Sequence, residues 1–110
     1  WPTIAKLINA TTGWNFGYDD VDLIGVRATN MKKAFNIREG WKPEDDDLPW
    51  RWKHDPFTKG PAAGVVVTDE ELAYGKQLYY KAKGWTEDGM IPKELLIKLG
   101  MPDVAEEIGV

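Results

Sequence analysis

The chain has 110 residues, a formal net charge of -4, 29% charged residues and 43% hydrophobic residues, values that fit one globular domain and exclude a disordered, collagen-like or coiled-coil chain. No apolar run is long enough to cross a bilayer, and the acidic balance argues against a nucleic-acid partner. The absence of cysteine excludes a disulfide framework, a thiol nucleophile and any thiolate-held metal site. We therefore expect one cytoplasmic domain over residues 1–110, with neither a membrane nor a nucleic acid as partner.

The sequence begins with Trp1 and not with Met, and its first residues do not show a basic stretch followed by an apolar one. Ile4, Leu7 and Ile8 form an apolar stripe at helical spacing, which predicts a first helix over residues 2–12, ended by a glycine. So abrupt a start predicts a fragment of a longer chain. We expect the apolar face of this helix to be exposed and to be covered by self-association.

A second, long helix is predicted next. Asp19 and Asp20 suit its N-terminus, and apolar residues then recur every three or four positions as far as Phe35. Between residues 39 and 64 this periodicity disappears, and prolines and glycines become frequent. We predict an ordered loop there that packs over the helices and buries its large aromatic side chains, Trp41, Trp50, Trp52 and Phe57.

The second half of the chain is also predicted to be helical. Thr68 and Glu71 have the spacing of a capping box, which predicts a third helix that ends at Gly84. Proline and glycine signals then delimit a short fourth helix over residues 92–100, and Pro102 begins a last turn or two.

The fold class follows from these elements. Only residues 64–67 (GVVV) look like a strand, and they have no second strand to pair with. Tyr74, Tyr79 and Tyr80 fall on the third helix, and we expect one or two of them to pack in the core. The prediction is an all-α fold, an irregular bundle of about four to five helices with a long, ordered, Trp- and Pro-rich loop.

Acidic and histidine residues are the first candidates for chemistry. Asp45, Asp46 and Asp47 form the densest acidic cluster, and their oxygen atoms are of the type that binds a divalent cation. The cluster lacks the alternating spacing and central glycine of a calcium loop, so a solvated or helix-capping run is favoured. His54 is the only histidine, and we expect it to be a surface residue and not a metal ligand or general base.

Trp50 and Trp52 alternate with Arg51 and Lys53, a pattern also found in surfaces that stack single-stranded nucleic acid. Neighbouring acidic residues cancel the positive field, and an extended segment that buries both tryptophans on one side explains the same alternation. We favour this second interpretation. From the residues alone, we predict no catalytic, cofactor-binding or metal-binding residue in the chain.

Three strings carry a family resemblance: LINATTGW at residues 7–14, AFNIREG at 34–40 and DDLPWR at 46–51. Together they resemble the C-terminal domain of the tungsten-containing aldehyde:ferredoxin oxidoreductase family. Shorter matches follow in the same order, KGP at residues 59–61, GW at 84–85, GMIP at 89–92 and LG at 99–100. The resemblance therefore covers nearly the whole chain, and the order and spacing of the strings make it specific.

The resemblance implies an activity for the full-length family protein. That protein binds a tungsten bis-pterin cofactor and a [4Fe-4S] cluster, and it oxidises aldehydes to carboxylic acids with ferredoxin as electron acceptor. The resemblance also places the cluster cysteines and the pterin site outside the matched segment, so no such role passes to a residue here. We expect a structural portion that binds no cofactor alone, whose partners are the remaining domains of the parent oxidoreductase, ferredoxin and, as a further option, a second copy.

The matched strings also have structural interpretations. Arg38 and Glu39 end a helix and are expected to pin the loop that follows, while residues 46–51 supply charges and a buried apolar pair for the same purpose. Two alternatives to the oxidoreductase portion remain open: an independent interaction or scaffold domain with the same fold, and part of an aromatic acyl-CoA reductase subunit of the same superfamily. The reading frame upstream of the sequence discriminates between a fragment and an independent domain.

Overall fold

The computed structural model describes residues 2–110, and within that range it contains helices and no strand. The predicted all-α class is therefore confirmed. A 3-10 helix (Pro43–Asp45) lies between the second and third of the six α-helices of the described residues, which are α1 (Pro2–Thr12), α2 (Tyr18–Arg38), α3 (Trp50–His54), α4 (Asp69–Lys83), α5 (Lys93–Lys98) and α6 (Pro102–Ile108). None of these helices has the combination of length and apolar character that spanning a bilayer requires.

The residues group into two units. The first unit holds the described residues up to Glu39 together with residues 93–110, and the second unit holds residues 40–92. α1, α2, α5 and α6 thus belong to the first unit, and α3 and α4 belong to the second. Whether residues 1–110 behave as one domain stays a prediction.

α1 has the predicted bounds, and its end is fixed by local chemistry. Gly13 follows it with φ +75°, and its N–H donates to the carbonyl oxygen of Asn9 at 2.9 Å. The side chain of Asn9 accepts from the Phe16 N–H at 2.7 Å and donates to the Phe16 carbonyl at 2.9 Å. This pair of bonds holds the turn before α2, where the Gly17 N–H is accepted by Asp20 at 2.8 Å.

The core of the first unit forms where α6 packs on α2 and α5. Ala34 of α2 is 2% exposed, and its small side chain lets the backbones of α2 and α6 approach each other closely. Leu96 of α5 and Ala105 of α6 are also buried. The ends of α2 and α6 are joined by an ion pair between Arg38 Nη1 and Glu107 Oε1 at 3.5 Å.

α4 begins and ends as its sequence predicts. Thr68 Oγ1 accepts from the Glu71 N–H at 3.1 Å, and Glu71 Oε2 accepts from the Thr68 N–H at 2.9 Å. Gly84 ends the helix with φ +72°. Tyr80 is buried whereas Tyr79 is exposed, as Tyr74 also is, so one of the three tyrosines packs in the core.

The prediction that the loop over residues 39–64 buries its aromatic side chains is wrong for three of them. Trp50, Trp52 and Phe57 are 68%, 56% and 54% exposed, and only Trp41 is half-buried. The rings pack mainly on local neighbours: Trp52 meets Phe57 edge to face, with ring centroids 6.5 Å apart. Local stacking of this kind covers only part of each ring.

The extended conformation predicted for residues 50–53 is also wrong, because these residues form the short helix α3. Arg51 Nε donates to Asp55 Oδ2 at 2.9 Å, a pair at helical spacing that the alternating sequence pattern conceals. In a helix, Trp50 and Trp52 point in different directions, so no single buried side can hold both.

Candidate functional site

Asp46 is the centre of a side-chain arrangement in the second unit that joins residues distant in sequence. Its Oδ1 accepts from the indole Nε1–H of Trp41 at 2.9 Å, and its Oδ2 accepts from the Tyr80 hydroxyl at 2.5 Å. We call these three residues the Asp46 cluster. The 3-10 helix beside them is held on α4 by Lys76, whose Nζ donates to the Pro43 carbonyl at 2.8 Å. The cluster ties the beginning of the loop to the C-terminal half of α4, and Lys76 adds a bond at the middle of that helix.

Tyr80 is 3% exposed and packs against the segment that follows α4. Its ring centroid lies 6.0 Å from that of Trp85, and Gly89 approaches so closely that a Cβ there would lie 2.7 Å from Tyr80 Cζ. Gly89 has φ +72° and donates its N–H to the Thr86 carbonyl at 2.9 Å. Only glycine fits both this conformation and this contact.

Burial, followed by the bond to Asp46, raises the pKa of Tyr80 well above that of a free tyrosine. The hydroxyl therefore stays protonated and serves as a hydrogen-bond donor. A donor with a raised pKa is poorly suited to general acid–base work near neutral pH. The chemistry of the Asp46 cluster is that of a structural tie.

A second tie involves Lys53 of α3. Its Nζ lies 2.9 Å from Asp47 Oδ1 and 3.3 Å from Asp69 Oδ1, at the first residue of α4. The hydrogen bond from Lys53, aided by one from the Leu48 N–H, lowers the pKa of Asp47. The same bond to Asp47 raises the pKa of Lys53. This ion cluster links α3 to the N-terminus of α4, where a carboxylate also meets the positive end of the helix dipole.

The three aspartates of the acidic run have three different roles. Asp45 accepts from the Lys42 N–H at 2.7 Å, so the helix-capping interpretation is confirmed for Asp45 at the 3-10 helix. Asp47 accepts from the Leu48 N–H at 2.8 Å and pairs with Lys53, and it caps no helix. Asp46 is instead a half-buried acceptor, a role the sequence analysis missed. No local signal could have shown it, since one of its donors, Tyr80, lies 34 positions away in sequence.

His54 is exposed, as predicted. Its Nδ1 lies 2.9 Å from the Trp50 carbonyl, and its ring stacks on that of Trp50 with centroids 4.7 Å apart. Among residues 2–110, no three His, Cys, Asp or Glu side chains are placed to hold a metal ion. The sequence also has no cysteine, so the chain supplies no thiolate ligand for an iron–sulfur cluster. That the chain contains no site residue stays a prediction.

Two expectations about the matched strings need correction. Arg38 and Glu39 do not pin the loop: Arg38 Nε bonds Glu39 Oε1 at 3.0 Å, and Arg38 Nη1 reaches Glu107 of α6. The reason is that the guanidinium lies at the end of α2, within reach of both carboxylates. The apolar pair in residues 46–51 is not buried either, since Leu48 is half-buried and Trp50 exposed.

Comparison with known proteins accounts for these strings. Residues 1–101 match the family model described as aldehyde ferredoxin oxidoreductase, domains 2 & 3. The chain belongs to this family. The predicted resemblance is thereby confirmed, including its extent over nearly the whole chain.

The relatives show how much of a family protein this chain represents. The tungsten-containing aldehyde ferredoxin oxidoreductases of Pyrococcus horikoshii and Pyrococcus furiosus are 42% and 43% identical to it over 98 residues, which is 88% of this chain. The chain spans 16% of the length of each. An aliphatic sulfonate oxidoreductase, WOR-like subunit, of Pyrococcus furiosus is 28% identical over 116 residues, which is 97% of this chain and 18% of that subunit.

Proposed function

We propose that this chain is the helical C-terminal portion of a tungsten-containing aldehyde ferredoxin oxidoreductase, in which it has a structural and not a catalytic role. The whole enzyme oxidises an aldehyde to a carboxylic acid and passes the electrons to ferredoxin. Tungsten bis-pterin and a [4Fe-4S] cluster are held by other parts of that enzyme. The observation that carries the proposal is the 42–43% identity to enzymes of this name over 88% of the chain.

The ties in the second unit suit a supporting role. The Asp46 cluster and the Lys53 ion cluster each join a loop or short helix to α4, so they make a firm surface from a segment that has little regular structure. In the parent enzyme, this surface closes one side of the substrate channel and supports the cluster-bearing segment. The proposal includes a single domain over residues 1–110 and a cytoplasmic location, where a cysteine-free chain needs no oxidising conditions.

A chimera tests the proposal. The 98 matched residues of the Pyrococcus furiosus aldehyde ferredoxin oxidoreductase are replaced by the corresponding residues of this chain. Tungsten and iron contents are measured first, followed by aldehyde-dependent reduction of ferredoxin. The matched control is a chimera whose inserted segment has the same composition in scrambled order. We expect the first chimera to keep both metals and most of the activity, and the scrambled one to lose them.

The alternatives give other outcomes. A chimera that folds but takes up no tungsten contradicts the proposal and favours an independent interaction or scaffold domain. The 28% identity to an aliphatic sulfonate oxidoreductase subunit makes that class of oxidoreductase a second candidate for the parent protein. An aromatic acyl-CoA reductase subunit of the same superfamily is a third candidate. A second chimera, with the same segment in the sulfonate oxidoreductase subunit, allows the two hosts to be compared. If this chimera keeps a larger fraction of its host's activity than the aldehyde oxidoreductase chimera does, the sulfonate oxidoreductase class is favoured.

A further inference from the structure

A groove runs along the first unit between α2 and α6. It consists of two neighbouring cavities of about 350 Å³ and about 380 Å³. Both are lined by Met31 of α2 and by Asp103 and Val104 of α6, which makes them parts of one depression. We call it the α2–α6 groove.

The α2 side of the groove carries apolar side chains that the described residues leave partly exposed, and Arg27 and Arg38 flank them. Met31 and Phe35 line the groove and are 47% and 54% exposed. Ile24, seven residues before Met31, is 48% exposed. Positions 24, 31 and 35 share one face of a helix because they are separated by seven and four residues.

The size of the groove indicates how its occupant must be held. A stable complex between separate proteins buries about 1,600 Å² in total, whereas a groove of this volume accommodates only a few side chains. A segment of the same molecule needs far less contact area, because its attachment supplies a high effective concentration. A chain that spans 16% of its relatives' length leaves most of such a protein available to supply that segment.

We propose that the α2–α6 groove is the binding site for an amphipathic helix from the remainder of the oxidoreductase chain. This inference rests on the proposed function. The helix presents apolar residues at positions i, i+3 or i+4, and i+7 to Met31 and Phe35. The Arg38–Glu107 ion pair lines the groove and is already satisfied within the unit. The helix is therefore recognised by apolar contact with Met31 and Phe35, and its polar residues face the other lining charges, Arg27 and Asp103.

Photo-crosslinking in the Pyrococcus furiosus chimera tests the inference. Phe35 is replaced by the photoreactive amino acid p-benzoylphenylalanine, which keeps the phenyl ring and adds a benzoyl group. The chimera is then irradiated, digested and mapped by mass spectrometry. The matched control carries the same group at Asn36, the next residue of α2, which is also exposed and lies outside the groove. We expect position 35 to cross-link within one chain to a host segment with a helical apolar pattern, at least tenfold more than position 36.

Each other outcome overturns the inference. Cross-links between two chains identify a second copy as the occupant, and cross-links only to α6, or none, leave the groove unoccupied. Equal cross-linking yields at positions 35 and 36 show that the groove is not a specific binding site. These results differ from failure of the proposed function, since in that case the chimera without the photoreactive group already lacks tungsten and activity.

Discussion

Asp46 accepts hydrogen bonds from an indole and from a phenol, and it is half-buried. A carboxylate partly removed from water is costly unless donors replace the lost hydration. The two donors reach Asp46 from positions five residues before it and 34 residues after it. A single residue therefore holds together parts of the second unit that are distant in sequence. Removal of either donor should lower the stability of the whole unit.

The Tyr80 hydroxyl gives a testable pH dependence. Tyr80→Phe should cost about 1.5–3 kcal/mol at neutral pH, because a buried bond to a charged acceptor is lost. Since the pKa of Tyr80 is raised on folding, the unfolded chain loses this proton first, and stability falls as the pH rises above about 10. There the wild type should lose about 1.4 kcal/mol more per pH unit than Tyr80→Phe.

Urea unfolding at several pH values measures both effects. The control is Tyr74→Phe, which changes an exposed tyrosine of the same helix and should behave as the wild type does. Parallel stability curves for wild type and Tyr80→Phe above pH ~10 would mean that folding does not raise the pKa of Tyr80.

Gly89 and Gly60 form a matched pair. Both have positive φ, +72° and +86°, but a Cβ would meet the Tyr80 ring only at Gly89. Both changes to alanine should lose about 1–2 kcal/mol from the left-handed conformation. Gly89→Ala should lose roughly 1–3 kcal/mol more from overpacking, measured by the free energy of unfolding. Equal losses at the two sites would disprove the close contact.

At the scale of elements, helix ends were predictable and aromatic burial was not. The ends of α1 and α4 depend on residues within a few positions, such as Gly13 and the Thr68–Glu71 capping box. α3 was missed because five residues give too little periodicity to distinguish a helix from an extended segment. The Asp46 cluster could not be predicted, because it depends on how residues distant in sequence pack together.

Thr68 tests the contribution of one cap to α4. Thr68→Ala removes the acceptor of the Glu71 N–H and should reduce the free energy of unfolding by about 1 kcal/mol. Thr68→Ser keeps a hydroxyl at the same place and should stay within a few tenths of a kcal/mol of the wild type. If serine and alanine are equally destabilising, the capping bond contributes nothing and the methyl group is what matters.

At the scale of the whole molecule, the donor inventory predicts metal content. The chain has no thiolate and one imidazole, and the described residues contain no cluster of three potential ligands. We expect the purified chain to contain neither tungsten nor iron in stoichiometric amounts by elemental analysis. About one atom of either metal per chain would refute this expectation.

The chain on its own should self-associate. Ile4 and Leu7 of α1 are 39% and 61% exposed, and a twofold contact is the commonest way for identical chains to cover such a face. Leu7→Glu should weaken the association about tenfold or more, since burial of a leucine is worth about 1.5–3 kcal/mol. Asn36→Glu adds the same charge at an exposed position of α2, away from this face of α1, and is the control. A wild-type chain that stays monomeric at high concentration in sedimentation equilibrium would contradict this prediction.

The first unit is built from both ends of the described chain, with residues 40–92 between its two parts. On the ribosome, α2 therefore emerges long before α6. Until α6 is made, the face of α2 around Ala34 stays exposed to water or is bound by a chaperone. Residues 40–92 are contiguous and meet no such delay. Synthesis thus imposes an order in which the second unit can be complete before the first unit closes.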